Sequence, residues 1–145
     1  MPLFARLILT VAGLVVLSAC ADPAPPAGRW QGVYEGGDAM VAARLEIDPE
    51  GSVRVSAPNA FLNFAAMSTT ERMEMRSELL AGLAAAWPSI GPMELTFDGK
   101  TFRKPGGVAP QLEWDNGRRE MTLVVYPGLH DTIRFPLERV DHFGG

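Results

Sequence analysis

The sequence predicts an α+β domain that is mostly β. It reads as an antiparallel meander of seven or eight short strands, a curled sheet or small barrel, with one amphipathic helix inserted after the third strand. Three observations carry this. Short alternating apolar segments are separated by turn signals such as Pro49-Glu50-Gly51, Asp98-Gly99 and Asn116-Gly117. The opposed residues match in character across each turn. Between the first and second of these turns the apolar period lengthens to that of a helix.

The elements follow in order. Trp30–Tyr34 and Met40–Arg44 flank Gly36-Gly37, which reads as a turn. Leu45–Val55 reads as a hairpin. Pro49 suits the first corner and Gly51 a positive φ, which opposes Ile47 to Val53, Glu46 to Arg54 and Leu45 to Val55. Asn59 to Met67 suggests a short helical turn. Ser68-Thr69-Thr70-Glu71 then matches a capping box, and Pro88 stops the run, so a helix is expected over Thr69 to Ala86. Its inward face is read as Met73, Leu80, Ala84 and Trp87.

A hairpin centred on Asp98-Gly99 opposes Phe97 to Lys100, Thr96 to Thr101, Leu95 to Phe102 and Glu94 to Arg103. One centred on Asn116-Gly117 opposes Glu113 to Glu120 and Trp114 to Arg119, with Leu112, Trp114, Met121, Leu123 and Val125 on one face. In the last alternating segment Ile133, Phe135 and Leu137 face inward. Pro136 cannot donate to a ladder, which suggests an edge or a bulge.

Ahead of the domain, Arg6 precedes an apolar run of eleven residues, Leu7 to Leu17. A spanning helix needs about 20 apolar residues, so this order fits a cleaved secretory signal. The single cysteine, Cys20, ends Leu17-Ser18-Ala19-Cys20. These four residues resemble the lipobox of bacterial lipoproteins. The resemblance implies a diacylglyceryl group on the Cys20 sulfur, cleavage just before it and acylation of the new amino terminus. It divides the chain into a signal peptide (1–19), a lipidated Cys with a Pro/Ala-rich tether (20–27) and one β-rich periplasmic domain (28–145). Ala21 rather than Asp follows the Cys, which in that family points to the outer membrane rather than the inner. Three prolines, Pro23, Pro25 and Pro26, favour polyproline II over a tether of about 20 Å. With one cysteine no internal disulfide forms, and lipidation removes an otherwise unpaired thiol.

Gly28-Arg29-Trp30 opens the first strand and is similar to the Gly-x-Trp start of lipocalins and other calycins. That resemblance implies a Trp closing one end of a barrel, with an Arg from the last strand packed over it, here Arg134 or Arg139. The chain departs from it by placing its helix after the third strand, where lipocalins place theirs after the eighth.

Chemistry is sparse. The formal charge is −4, or −5 without Arg6, and the charges are scattered, so nucleic acid is not an expected partner. His130 and His142 stand without a Gly-x-Ser-x-Gly turn and without His-x-x-x-His spacing, which makes a poor triad and a poor zinc set. Met67, Met73 and Met75 carry soft sulfur, but Met73 and Met75 point about 200° apart on a helix, as core filler does. No cofactor or metal is expected. Phe61, Phe64 and Met67, between a strand and the helix, are the candidate contact residues for a partner or apolar ligand. The expected function is therefore a lipid-anchored, non-enzymatic binding module, held to the membrane through Cys20 and engaging an envelope protein or an apolar small molecule. The alternative is an envelope hydrolase acting through Glu113 and Glu120, whose proximity would raise one pKa, or through the His130-Asp131 loop.

Overall fold

The computed structural model describes residues 22–61, 63–126 and 131–144. Nine strands form one antiparallel sheet: β1 (Gly28–Gly36), β2 (Ala39–Ile47), β3 (Val53–Ser56), β4 (Asn59–Phe61), β5 (Thr96–Phe97), β6 (Thr101–Arg103), β7 (Pro110–Asp115), β8 (Glu120–Val125) and β9 (Ile133–Val140). The order is β3-β2-β1-β9-β8-β7-β6-β5, and β4 continues the β3 side by pairing with β2. Two meanders, β1 to β3 and β5 to β9, are thus joined where the first strand meets the last. The eight-strand path curls into a half-barrel. Its two edges touch where the Met93 N–H donates to the Val53 carbonyl at 2.7 Å.

The β2–β3 hairpin forms as the turn residues require. Gly51 takes φ 91°, and the Asp48 carboxylate accepts the Ser52 N–H at 2.8 Å. Ile47 faces Val53, Glu46 faces Arg54 and Leu45 faces Val55. Gly37 turns at φ 55° between β1 and β2.

The other two hairpins keep their faces but shift register by two residues. In the second, the turn is centred on Gly99-Lys100, with Gly99 at φ 96°, so Phe97 faces Phe102 and Thr96 faces Arg103. Gly99 occupies the first corner, where a type II′ turn needs a positive φ. Asp98 drives this. Its carboxylate accepts the Lys100 N–H (2.9 Å), the Thr101 N–H (2.7 Å) and the Thr101 hydroxyl (2.9 Å), and pairs with Arg103 at 2.8 Å. In the third, Arg119 rather than Gly117 takes the positive φ, 56°, and the loop spans four residues. Glu113 then faces Thr122 and Trp114 faces Met121.

Asp98 carries a testable consequence. The Thr101 N–H, then the Lys100 N–H and the Thr101 hydroxyl, hold its carboxyl well below the usual carboxylate range. A folded-state pKa below the unfolded one stabilises the fold above about pH 4, the unfolded value, and that contribution fades as pH falls toward the folded value. Melting temperature should therefore drop between pH 5 and pH 2, and more steeply in the parent than in Asp98→Asn. Parallel slopes for the two proteins would refute the assignment.

The helix α1 runs from Thr69 to Ala86. The Ser68 hydroxyl accepts the Glu71 N–H, and Glu71 accepts the Ser68 N–H at 2.7 Å. A three-residue 3-10 turn, Phe64–Ala66, precedes it, and β4 occupies the start of the segment expected to be a helical turn. The inward face of α1 differs from the one read in sequence. Met73 is 64% exposed, while Leu83 is buried and Leu80 and Ala84 are half-buried. The face is rotated toward Arg72 and Arg76. Arg72 donates to the Phe64 carbonyl, and Arg76 pairs with Glu35 of β1 at 3.1 Å.

The sheet therefore has two packed sides. Inside the curl, Trp30, Val41, Ala43, Leu45, Ile47, Val53, Phe102, Leu112, Trp114, Met121, Leu123, Phe135 and Leu137 form one cluster. Trp30 of β1 meets Trp114 of β7 edge-to-face across it, with centroids 6.2 Å apart. The alternate residues of β2, Met40, Ala42 and Arg44, are buried as well, because α1 and the segments flanking it cover that side.

Pro136 sits where β9 leaves β1. The β1–β9 ladder covers Arg29 to Gln31 against Glu138 to Val140, and β8 alone pairs the rest of the strand. The proline-rich segment ahead of β1 lies against two of the turns: a side chain at Gly51 would meet Pro25 Cγ at 3.2 Å, and one at Gly99 would meet Pro23 Cγ at 3.5 Å.

Candidate functional site

Of the candidate contact residues, Phe64 is buried, its carbonyl held by Arg72, and it borders a shallow cleft of about 300 Å³ with Glu35 and Ala65. Met67 is half-buried. The Phe61 backbone pairs with Ala39 in β4, and its side chain lies outside the described residues. Cys20 and the residues before it, and His130, also lie outside them. Asp131 is exposed.

The register shift takes Glu113 and Glu120, the carboxylates of the hydrolase alternative, out of direct opposition, but both still line one open cleft of about 360 Å³ together with Asp115 and Thr122. Glu113 lies opposite Thr122 and pairs with Arg134 of β9 at 3.2 Å, while Glu120 lies opposite Asp115. Arg119, turned into the left-handed region, belongs to the loop and is not opposite Trp114. Among the described residues, no three His, Cys, Asp or Glu side chains stand close enough to hold a metal ion.

Of the two arginines weighed against Trp30, Arg139 is the one that packs there. It faces Trp30 in the β1–β9 register, its guanidinium lies 5.5 Å from the indole centroid, and it donates to the Ala27 carbonyl at 3.2 Å. Arg29, Glu46, Asp48, Arg139 and Asp141 line an open cleft of about 450 Å³ at this end of the sheet, beside Ala27 and Gly28.

Sequence reasoning missed the most unusual cluster, on the helix side of β2. Arg54 lies 4.6 Å above the Trp87 ring, and donates to the Trp87 carbonyl at 2.8 Å and the Ile90 carbonyl at 2.9 Å. Phe143 meets Trp87 edge-to-face at 5.0 Å, and the Arg44 guanidinium lies 5.0 Å from the Phe143 ring. Arg44 is only 7% exposed and donates through Nη2 to the Gly144 carbonyl. Its Nε has no acceptor among the described residues. The available signal was the period-2 position of Arg44 between Ala42 and Glu46, in a strand flanked by apolar residues on both faces.

The site geometry is thus two arginines and two aromatic rings gathered over one strand, beside a filled sheet interior. Among the described residues no helix is long and apolar enough to cross a membrane. No protein-family model, curated protein or solved structure matches this chain.

Proposed function

We propose that this chain is a lipid-anchored, non-enzymatic binding module of the bacterial envelope, tethered through Cys20 and facing the periplasm, with the outer membrane as its site. Its partner is a protein engaged at the domain surface. The observation that carries the choice of a protein over an apolar small molecule is the filled curl. Trp30, Leu45, Leu112 and Met121 are wholly buried in it, and Phe102 nearly so. Ligand pockets for apolar molecules are concave and bury most of the ligand. The clefts beside this core are open and partly lined by charge. The lipobox residues supply the anchor, and its acyl chains would make dissociation from the bilayer slow.

Native mass spectrometry of the lipidated protein, purified from its own envelope, tests the choice of partner. The protein should appear at the mass of the acylated chain alone. A stoichiometric apolar molecule retained beyond the anchor lipids would overturn the preference for a protein partner.

A further inference from the structure

We propose that the Arg44–Trp87 cluster is a recognition site for a partner's carboxy-terminal peptide with an aromatic penultimate residue, occupied in cis by Phe143-Gly144. The inference rests on the binding-module reading and names the chemistry of its partner.

A buried guanidinium is stable when an anion and a full set of acceptors meet it. On this face of β2 the nearest acid along the strand is Glu46, and it is already shared by Arg29 (2.6 Å) and Arg54 (3.1 Å). Among the described residues Arg44 has no carboxylate within 4.0 Å. Among those residues it has one neutral carbonyl, the face of Phe143, and no acceptor for its buried Nε. Nε and Nη2 form one edge of the guanidinium fork, the edge that takes a carboxylate through two parallel hydrogen bonds. The tail fills half of that arrangement.

The occupant shows what the site accepts. The Phe143 ring is seated between Trp87 and Arg44, and the next carbonyl, that of Gly144, reaches Nη2. A chain that ended at the position of Gly144 would present a carboxylate there instead of a carbonyl. It would keep the ring contacts, satisfy Nε and neutralise the buried charge. A partner's end of that form displaces the tail by a differential interaction the tail lacks. Phe143-Gly144 then acts as a built-in competitor that lowers the apparent affinity.

The test uses the full mature chain and the probe acetyl-Phe-Gly with a free carboxylate, titrated by calorimetry or by NMR shifts of the Trp87 indole. Phe143→Ala, which empties the ring site, should bind the probe about tenfold tighter than the parent chain. In Phe143→Ala the amide of the same probe should bind at least about tenfold more weakly than the acid. Arg44→Lys, with the fold verified by circular dichroism, should lose the preference for acid over amide. No binding to Phe143→Ala, or equal binding of acid and amide, would overturn the proposal. So would binding of hydrocinnamate as tight as that of the peptide, since the main chain would then not be read. If Arg44→Lys does not fold, the acid–amide comparison in Phe143→Ala still decides. Loss of this proposal would leave capture of an envelope neighbour by the anchored protein unaffected, so the two readings fail separately.

Discussion

Trp30→Ala is expected to remove about 3–5 kcal/mol of stability, the range for deleting a fully buried aromatic. Trp30 is wholly buried, crosses the curl to Trp114 and carries Arg139 on its face. It sits on β1, at the join between the two meanders, so a cavity there weakens both. A domain of this size holds about 5–15 kcal/mol in total, so the variant should lose a large share of its stability. Trp30→Phe should cost much less, because it keeps most of the apolar area and removes a buried indole N–H that has no acceptor among the described residues. Urea titrations followed by the fluorescence of Trp87 and Trp114 measure both. A loss below about 1 kcal/mol in Trp30→Ala would contradict a core built around this residue.

Cys20→Ala is expected to abolish lipid labelling and to leave the chain at precursor size. The effect would be all-or-none, because the proposed lipobox puts the acyl attachment and the cut at one residue. The readout has to be labelling and size together. An uncleaved apolar run from Leu7 to Leu17 could keep the variant at the membrane by itself. Metabolic labelling with palmitate and immunoblotting of the same fractions measure both. A labelled product of mature size from the variant would refute the assignment.

Much of the fold is legible because turn chemistry acts locally. Pro49 and Gly51 set the first hairpin, and the pairs that follow agree with it on both faces. The capping box of Ser68 and Glu71 sets the start of α1 in the same way. The register shifts arise where a side chain outbids the expected dipeptide. Asp98 uses its carboxylate to hold Lys100 and Thr101, which moves the corner onto Gly99, and Arg119 accepts a positive φ that Gly117 was expected to take. The facing residues still alternate correctly, because a shift of two leaves every side chain on its own face.

The rotation of α1 and the cluster over β2 were hidden for a different reason. Hydropathy assigns Arg72, Arg76, Arg44 and Arg54 to solvent. Here the heads of Arg72, Arg44 and Arg54 meet backbone carbonyls, Arg44 and Arg54 also lie against aromatic faces, and Arg76 pairs with Glu35. Such contacts join residues 8 to 100 positions apart, so no local pattern announces them. The join of β1 to β9 is equally long-range. That join brings Arg139 over Trp30, and its ladder stops at Glu138, two residues short of Pro136, which has no N–H to continue it.

Crosslinking in the native envelope decides whether the anchored chain engages a protein. A photoreactive residue is placed in turn at Met73, Val108 and Tyr126, all exposed apolar positions, in the full chain that retains Cys20. The account predicts a discrete protein adduct from at least one position, formed by the anchored chain and reduced when Cys20 is replaced. A fully lipidated chain that yields no protein adduct from any of the three positions would contradict it.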